Sequence, residues 1–337
     1  MIRAGVIGLG MGKNHLHGYS KTSEVKIWAI ADLEEEKLKT FSQKYSIPHS
    51  FKDYRELLKL KELDVVSIAL PNFLHCPVTI EALEAGKDVL VEKPMALNSE
   101  EAEKMVKVAR EKKKVLMVGM NYRYFPEMEV LKRFVEQGEL GDIYYIKAVA
   151  LRRKTFFKDS TSWFKNRQKS GGGGLVDMGP HMVDLSLWLA DNFDVASVYG
   201  VTYNKFMPVD DLASALVKLS NGITINLEIS WETFTRPQFF LSLFGTKGGA
   251  MTNPLKVYKE VGDISVEVTP EVKKEDFTSG IEREIAHFIK CIKEKKEASS
   301  SGEKGLRVMR ILDAIYESAR TGREVRMDVI CNGNRIN

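Results

Sequence analysis

Lys93, Asp177 and His181 are the residues of this chain whose types and settings suit them to move a proton. Asp177 and His181 stand four positions apart in "GGGGLVDMGPHMVD", residues 171–184, directly after four glycines. On a helix that spacing puts both side chains on one face. An imidazole titrating near neutrality can take a hydroxyl proton and return it. Lys93 follows the apolar segment "DVLV" within "EKP", residues 92–94, and Pro94 biases it towards an extended backbone that can lift its ammonium over a sheet edge. There it could donate to an oxygen on which charge develops. Asp177 could bind a substrate hydroxyl or orient the histidine. Taken alone, the pair also fits a helix cap beside a core histidine, or, with Asp184, a metal site. No cysteine supports such a ligand cluster, so no metal is expected.

The elements that must position these groups begin at the N-terminus. Residues 3–37 read as a β-branched strand, a glycine turn, a helix, a second strand and an acid. In the turn Gly8-Leu9-Gly10-Met11-Gly12-Lys13 the third glycine arrives one residue earlier than in a strict G-x-G-x-x-G. Gly8 permits the tight turn, Gly10 lets the backbone approach a pyrophosphate, and the helix that follows Met11 and Gly12 aims its N–H groups at the anion. Asp32, 22 residues after Gly10, ends "VKIWAIAD" where a carboxylate can accept from ribose hydroxyls and repel an extra phosphate, so NAD is expected rather than NADP. Helix capping by Asp32 is compatible with that role.

The alternation continues through "DVVSIALP", "DVLVEKP" and "KVLMVGM", each preceded by a helical segment. Strands apolar on both faces and alternating with helices predict a parallel, doubly wound sheet. Ligands of such sheets bind at the carboxyl ends of the strands. That rim would carry Pro71-Asn72, Glu92-Lys93-Pro94 and Asn121-Tyr122-Arg123, while His15, His17 and His75 would belong to the domain's own structure or line the cofactor cleft. After residue 141 the pattern changes to alternating strands such as "GDIYYIKAVALRR", and Asn221-Gly222 marks a hairpin. Two amphipathic helices follow late in the chain. Arg152, Arg153 and Lys154, with Trp163, Asn166 and Arg167, could bind substrate hydroxyls, a carboxylate or a phosphate, or form a solvated basic loop.

Composition limits the partners. Among the 337 residues, 50 Lys+Arg against 46 Asp+Glu leave a net charge of +4, spread among acids, which suggests neither nucleic acid nor membrane. Cys76, Cys291 and Cys331 are too few and too scattered for a disulfide framework, which fits a reducing cytoplasm.

The combination of Gly8-x-Gly10 with His15, "PNFLH" at 71–75, "EAGKDVLVEKP" at 84–94, "NYRYFP" at 121–126 and "GGGGLVDMGPHMVDL" at 171–185 resembles the glucose–fructose oxidoreductase, inositol dehydrogenase and rhizopine-catabolism (Gfo/Idh/MocA) family. The resemblance implies an α/β chain: an N-terminal Rossmann domain over residues 1–122 and, over 123–337, an α/β domain whose large, mostly antiparallel open sheet binds substrate and self-associates as a homodimer or homotetramer. It implies that Lys93, Asp177 and His181 form the polar active site. Gly8, Gly10, Met11, Gly12, Asp32, Pro71, Asn72, His75, Glu92 and Lys93 would hold the cofactor. Tyr122, Arg123, Arg153, Trp163 and Arg167, with Asp177 and His181, would meet the substrate. The expected activity is reversible hydride transfer between NAD(H) and a secondary alcohol or ketone of a sugar, inositol or related polyol. A non-catalytic NAD(P)-sensing regulator on the same fold is the alternative.

Overall fold

A computed structural model describes residues 1–153, 162–272 and 277–327. The chain divides into two compact units, Met1–Tyr124 with Glu275–Leu306, and Phe125–Lys274 with Arg307–Asn337.

In the first unit, β1 (Ile2–Ile7), α1 (Gly12–Lys21), β2 (Val25–Ala31), α2 (Glu35–Tyr45), β3 (His49–Phe51), α3 (Tyr54–Leu58), β4 (Val65–Ile68), α4 (Asn72–Glu84), β5 (Asp88–Glu92), α5 (Ser99–Lys112) and β6 (Leu116–Gly119) alternate as the sequence predicts. The six strands lie in the order β3-β2-β1-β4-β5-β6, and every neighbouring pair is parallel. Every residue of β4 and β6 is buried, as expected of strands covered on both faces. The strand order reverses between β1 and β4, which opens a crevice at their carboxyl ends.

The second unit starts with α6 (Pro126–Glu136), β7 (Ile143–Arg153), α7 (Arg167–Ser170) and α8 (Gly174–Leu189). The strands β8 (Val195–Tyr203), β9 (Leu212–Leu219), β10 (Thr224–Thr233), β11 (Gln238–Gly245), β12 (Gly248–Met251), β13 (Lys256–Val261) and β14 (Ile264–Val268) follow. The last described elements are α9 (Phe277–Glu294), α10 (Gly302–Thr321) and β15 (Val325–Arg326). Nine strands form one sheet in the order β14-β13-β12-β11-β7-β10-β9-β8-β15. Only β7 and β10 pair in parallel; the other neighbours are antiparallel. Asn221-Gly222 turns β9 into β10, with Gly222 at φ 93°. One sheet face is buried through Ile146, Val217, Ile225, Leu243 and Val257. The other presents Tyr199 beside Leu216, and a row of Tyr145, Phe244 and Tyr258. Four of these five side chains are more than 40% exposed, against the burial opposite.

The segment that carries α9 belongs with the first unit. Ile281, Ile285, Phe288 and Ile289 share one core with Leu16 and Tyr19 of α1. A Cβ on Gly18 would lie 2.6 Å from Ile285 Cδ1, so the two helices touch where α1 has no side chain. Lys154, Cys331 and the terminal "CNGNRIN" lie outside the described residues.

Candidate active site

The glycine turn after β1 divides its labour. Gly8 has φ 87°, and a Cβ there would fall 2.4 Å from the Ala69 carbonyl oxygen. Beside Gly10 nothing lies within 4 Å of a Cβ position, which leaves room for a ligand against the backbone. At Gly12 a Cβ would meet Val6 Cγ1 at 2.7 Å, so this glycine seats α1 on β1. The helix begins behind Met11 with no side-chain cap, and its first amides remain suited to an anion. Asp32 joins the turn directly: Oδ2 accepts from the Leu9 N–H at 2.6 Å and Oδ1 from the Glu34 N–H at 2.9 Å. It braces the turn and the entry to α2 without being the cap residue, which is Glu34.

Further along the rim the side chains turn inward more than sequence position suggests. Pro71 and Asn72 open α4, and Asn72 is buried. Lys93 is half-buried. Glu92 and His75, expected to hold the cofactor, are instead committed within the unit. The Glu92 Oε1 lies 2.9 Å from His15 Nε2, and the ring nitrogens of His75 each lie 2.7 Å from a carbonyl oxygen, those of Pro94 and Leu70. Burial alone would raise the Glu92 carboxyl, but the His15 hydrogen bond and nearby positive charge hold it below the usual carboxylate range. Burial pushes the His75 imidazole down. Arg123, expected at the substrate, is 2% exposed and donates to the Ser299 carbonyl at 2.5 Å. A guanidinium so placed braces the core of its own unit. Tyr122 is half-buried.

In the second unit α8 starts at Gly174, inside the glycine run, and carries Asp177 in its first turn and His181 one turn later. The run is packed, not loose. Gly171 ends α7 at φ 84°. A Cβ on Gly172 would fall 2.0 Å from the Tyr316 hydroxyl, and one on Gly173 would fall 1.9 Å from the Asp210 carbonyl oxygen. The backbone of this run closes directly on Asp210 and Tyr316. Asp210 also caps the helix: Oδ1 accepts from the Gly173 N–H at 2.7 Å and the Tyr316 hydroxyl at 2.7 Å, and Oδ2 from the Leu175 N–H at 2.8 Å.

With the cap supplied by Asp210, Asp177 is free of that duty. Its Oδ2 accepts from Arg152 at 2.8 Å and from the Trp231 indole at 2.9 Å. A second Arg152 nitrogen reaches Met178 Sδ at 2.9 Å. Trp231 is 1% exposed and packs edge-on against Phe164, which stacks on Trp163 at 3.8 Å. Trp163, half-buried, thus ends an aromatic series that leads to Asp177. Arg167 lies over the Tyr316 ring at 5.0 Å, in a small cleft of ≈ 180 Å³ with Tyr203 and Asp210. Arg153 is exposed, and His181 and Asp184 are buried. Among the described residues no three His, Cys, Asp or Glu side chains are grouped to hold a metal ion.

Asp210 and Trp231 are supporting residues that motif reading missed, whereas Arg152, read as a possible substrate contact, pairs with Asp177. Strand alternation held one usable signal. Arg152 shares its parity with the inward-facing Ile146, Ala148 and Ala150, and a charge on an inward face needs a partner.

Comparison with known proteins agrees with the two-part α/β fold. The model of an oxidoreductase family with an NAD-binding Rossmann fold matches residues 2–120, and that of its C-terminal alpha/beta domain matches 132–327. The chain is 28% identical to D-glucoside 3-dehydrogenase of Escherichia coli over 349 residues, covering 97% of each protein. It is 26% identical over 287 residues to levoglucosan dehydrogenase of Pseudarthrobacter phenanthrenivorans, covering 75% of this chain and 73% of that protein. A solved levoglucosan dehydrogenase in complex with NADH superposes with a TM-score of 0.91 at 25% identity, covering 98% of this chain and 100% of the other.

Proposed function

The chain belongs to the Gfo/Idh/MocA family of oxidoreductases, with its NAD-binding Rossmann fold, and from that premise we propose that it oxidises a secondary alcohol of a sugar or related polyol with NAD, reversibly. The open side of Gly10, the uncapped start of α1 and the carboxylate of Asp32 fit a dinucleotide. Bound there, NAD supplies the carbon that accepts or returns the hydride. His181 takes the hydroxyl proton during oxidation and gives it back in reduction. Lys93 donates a hydrogen bond to a substrate oxygen on which negative charge builds. The observation that carries this reading is Asp177. Two donors fixed on one of its oxygens suit a carboxylate that accepts from a substrate hydroxyl one turn before the acid–base histidine. Relatives named for levoglucosan and D-glucosides support a sugar or anhydrosugar substrate.

The test is a panel of levoglucosan, methyl glucosides and inositols with NAD and with NADP, followed by absorbance of the reduced nicotinamide. Lys93→Ala and His181→Ala should each lower kcat by roughly 10²–10⁴. Full activity in either variant refutes its assignment. Tight NADH binding without turnover of any panel member would instead favour the sensing role.

The exposed Tyr199, Leu216, Phe244 and Tyr258 support self-association through the open sheet face, with a second copy of the chain as occupant. Light scattering that returned a monomer of 38.1 kDa at micromolar concentration would refute it. No helix among the described residues is long and apolar enough to cross a membrane. The free, buried thiols of Cys76 and Cys291 support a reducing cytoplasm as its location.

A further inference from the structure

Lys93 stands between two residues that are each held by a buried histidine. On one side, Glu92 closes β5, meets His15 through Oε1 and accepts the Lys93 backbone N–H through Oε2 at 3.1 Å. On the other, the Pro94 carbonyl oxygen lies 2.7 Å from His75 Nδ1. The two imidazoles are 0% and 1% exposed, so neither is placed to serve solvent or a diffusing ligand. Each rises from a helix that starts at the carboxyl edge of the sheet. His15 is in α1, fed by the glycine turn, and His75 is in α4, which begins at Asn72.

We propose that His15 and His75 are positioning residues for Lys93, His15 acting through the Glu92 carboxylate and His75 through the Pro94 carbonyl. This rests on the reading of Lys93 as the donor to the substrate oxygen. Lysine has four rotatable side-chain bonds, so the placement of its ammonium depends on how firmly its own backbone is held. Two apolar side chains would fill the same volumes without the cost of burying polar rings. What the imidazoles add is directional: each fixes an oxygen one residue from Lys93. Because both clamps come from the helices that bound the nucleotide crevice, they also tie the register of Lys93 to the elements that hold the cofactor.

The experiment uses the full chain and five variants: His15→Phe, His15→Gln, His75→Phe, His75→Gln and Lys93→Ala. The first readout needs no substrate. Reductive ¹³C-methylation gives each lysine an NMR signal, with that of Lys93 assigned by its loss in Lys93→Ala. The Lys93 signal should stand apart from the exposed lysines in the parent and move towards them in both phenylalanine variants. Glutamine, which keeps a donor, should restore much of its position. The second readout is turnover of levoglucosan with NAD. The phenylalanine variants should lose roughly 10–100-fold in kcat, as expected for a catalytic group displaced by about 1 Å, with KM for NAD changed less than about threefold. A Lys93 signal unmoved in folded His15→Phe and His75→Phe overturns the proposal. If either phenylalanine variant fails to fold, the matching glutamine variant decides: a Lys93 signal displaced from its parent position supports the histidine as a positioning residue, whereas one identical to that of the parent overturns it. Full turnover in Lys93→Ala overturns the reading of Lys93 itself, while the signal still decides whether the histidines position it.

Discussion

Replacing Asp210 by alanine tests how α8 is held. The carboxylate takes hydrogen bonds from Gly173, Leu175 and Tyr316, and its removal leaves all three donors without that acceptor. Loss of a helix cap costs about 1–2 kcal/mol. A buried donor left without a partner costs about 1–3 kcal/mol. These contributions overlap at the two amides, so roughly 3–5 kcal/mol is expected for the variant, against roughly 1–2 kcal/mol for Asp210→Asn, which keeps one acceptor oxygen. For a unit of this size each kcal/mol moves Tm by about 2–4 °C, so Asp210→Ala should melt roughly 6–20 °C below the parent. Three of the four tryptophans, Trp163, Trp188 and Trp231, belong to the second unit, so tryptophan fluorescence reports mainly its unfolding. NADH titration reports the first unit and should be unchanged at temperatures where both units are folded. A shift below about 3 °C for Asp210→Ala would refute the cap as the fastening of α8. So would equal shifts for alanine and asparagine, because the argument depends on the acceptors that asparagine half retains.

Three other changes have defined outcomes. Gly10→Ala meets no protein atom and has no positive φ to oppose it, so its Tm should stay within a few degrees of the parent while NADH affinity, read by fluorescence titration, falls at least about tenfold. Arg152→Ala removes a charged donor from Asp177, worth about 1.5–3 kcal/mol, and should lower kcat by roughly 10–100-fold, with lysine restoring only part because it cannot span Asp177 and Met178. His287, pushed below its ordinary value by burial and then by Lys290, Arg123 and Lys304, accepts the Ser299 N–H on Nε2 and so is neutral in the fold. A base whose folded pKa is depressed binds fewer protons folded than unfolded, so its stability is present above the unfolded value of 6.5 and is lost as pH falls below it. Tm should therefore drop between pH 7.5 and 5.5, and drop less in His287→Gln.

Local chemistry is what made the fold readable. The glycine turn, Asp32 at the end of β2, the Asn221-Gly222 hairpin and the alternation of strands with helices each lie within a few residues of what they determine. The acid–base candidates were legible for the same reason, being set by short motifs. What could not be read was the second residue of every long-range pair. Asp210 caps a helix that begins 36 positions earlier, Trp231 reaches Asp177 across 54 positions, and Arg123 meets Ser299 across 176. Position at the end of a strand says that a residue is near the rim, but not which way its side chain turns. His75, Glu92 and Arg123 are all near the rim and all turn inward. "VDDLAS" did hold a clue, since two adjacent acids at the entry to an alternating strand demand donors from somewhere.

The packing of α9 against α1 has a consequence for how this protein can be made. The first unit is discontinuous in sequence, and its core includes Ile285 and Phe288, which are translated long after Leu16 and Tyr19. On a ribosome the six strands emerge complete by Gly119, yet the surface of α1 around Gly18 must wait for more than 150 further residues. During that interval the nascent nucleotide-binding unit presents an apolar groove in the shape of a helix. A fragment ending at Tyr124 would keep that groove permanently, and supplying a peptide with the sequence of 277–294 in trans is the direct way to close it.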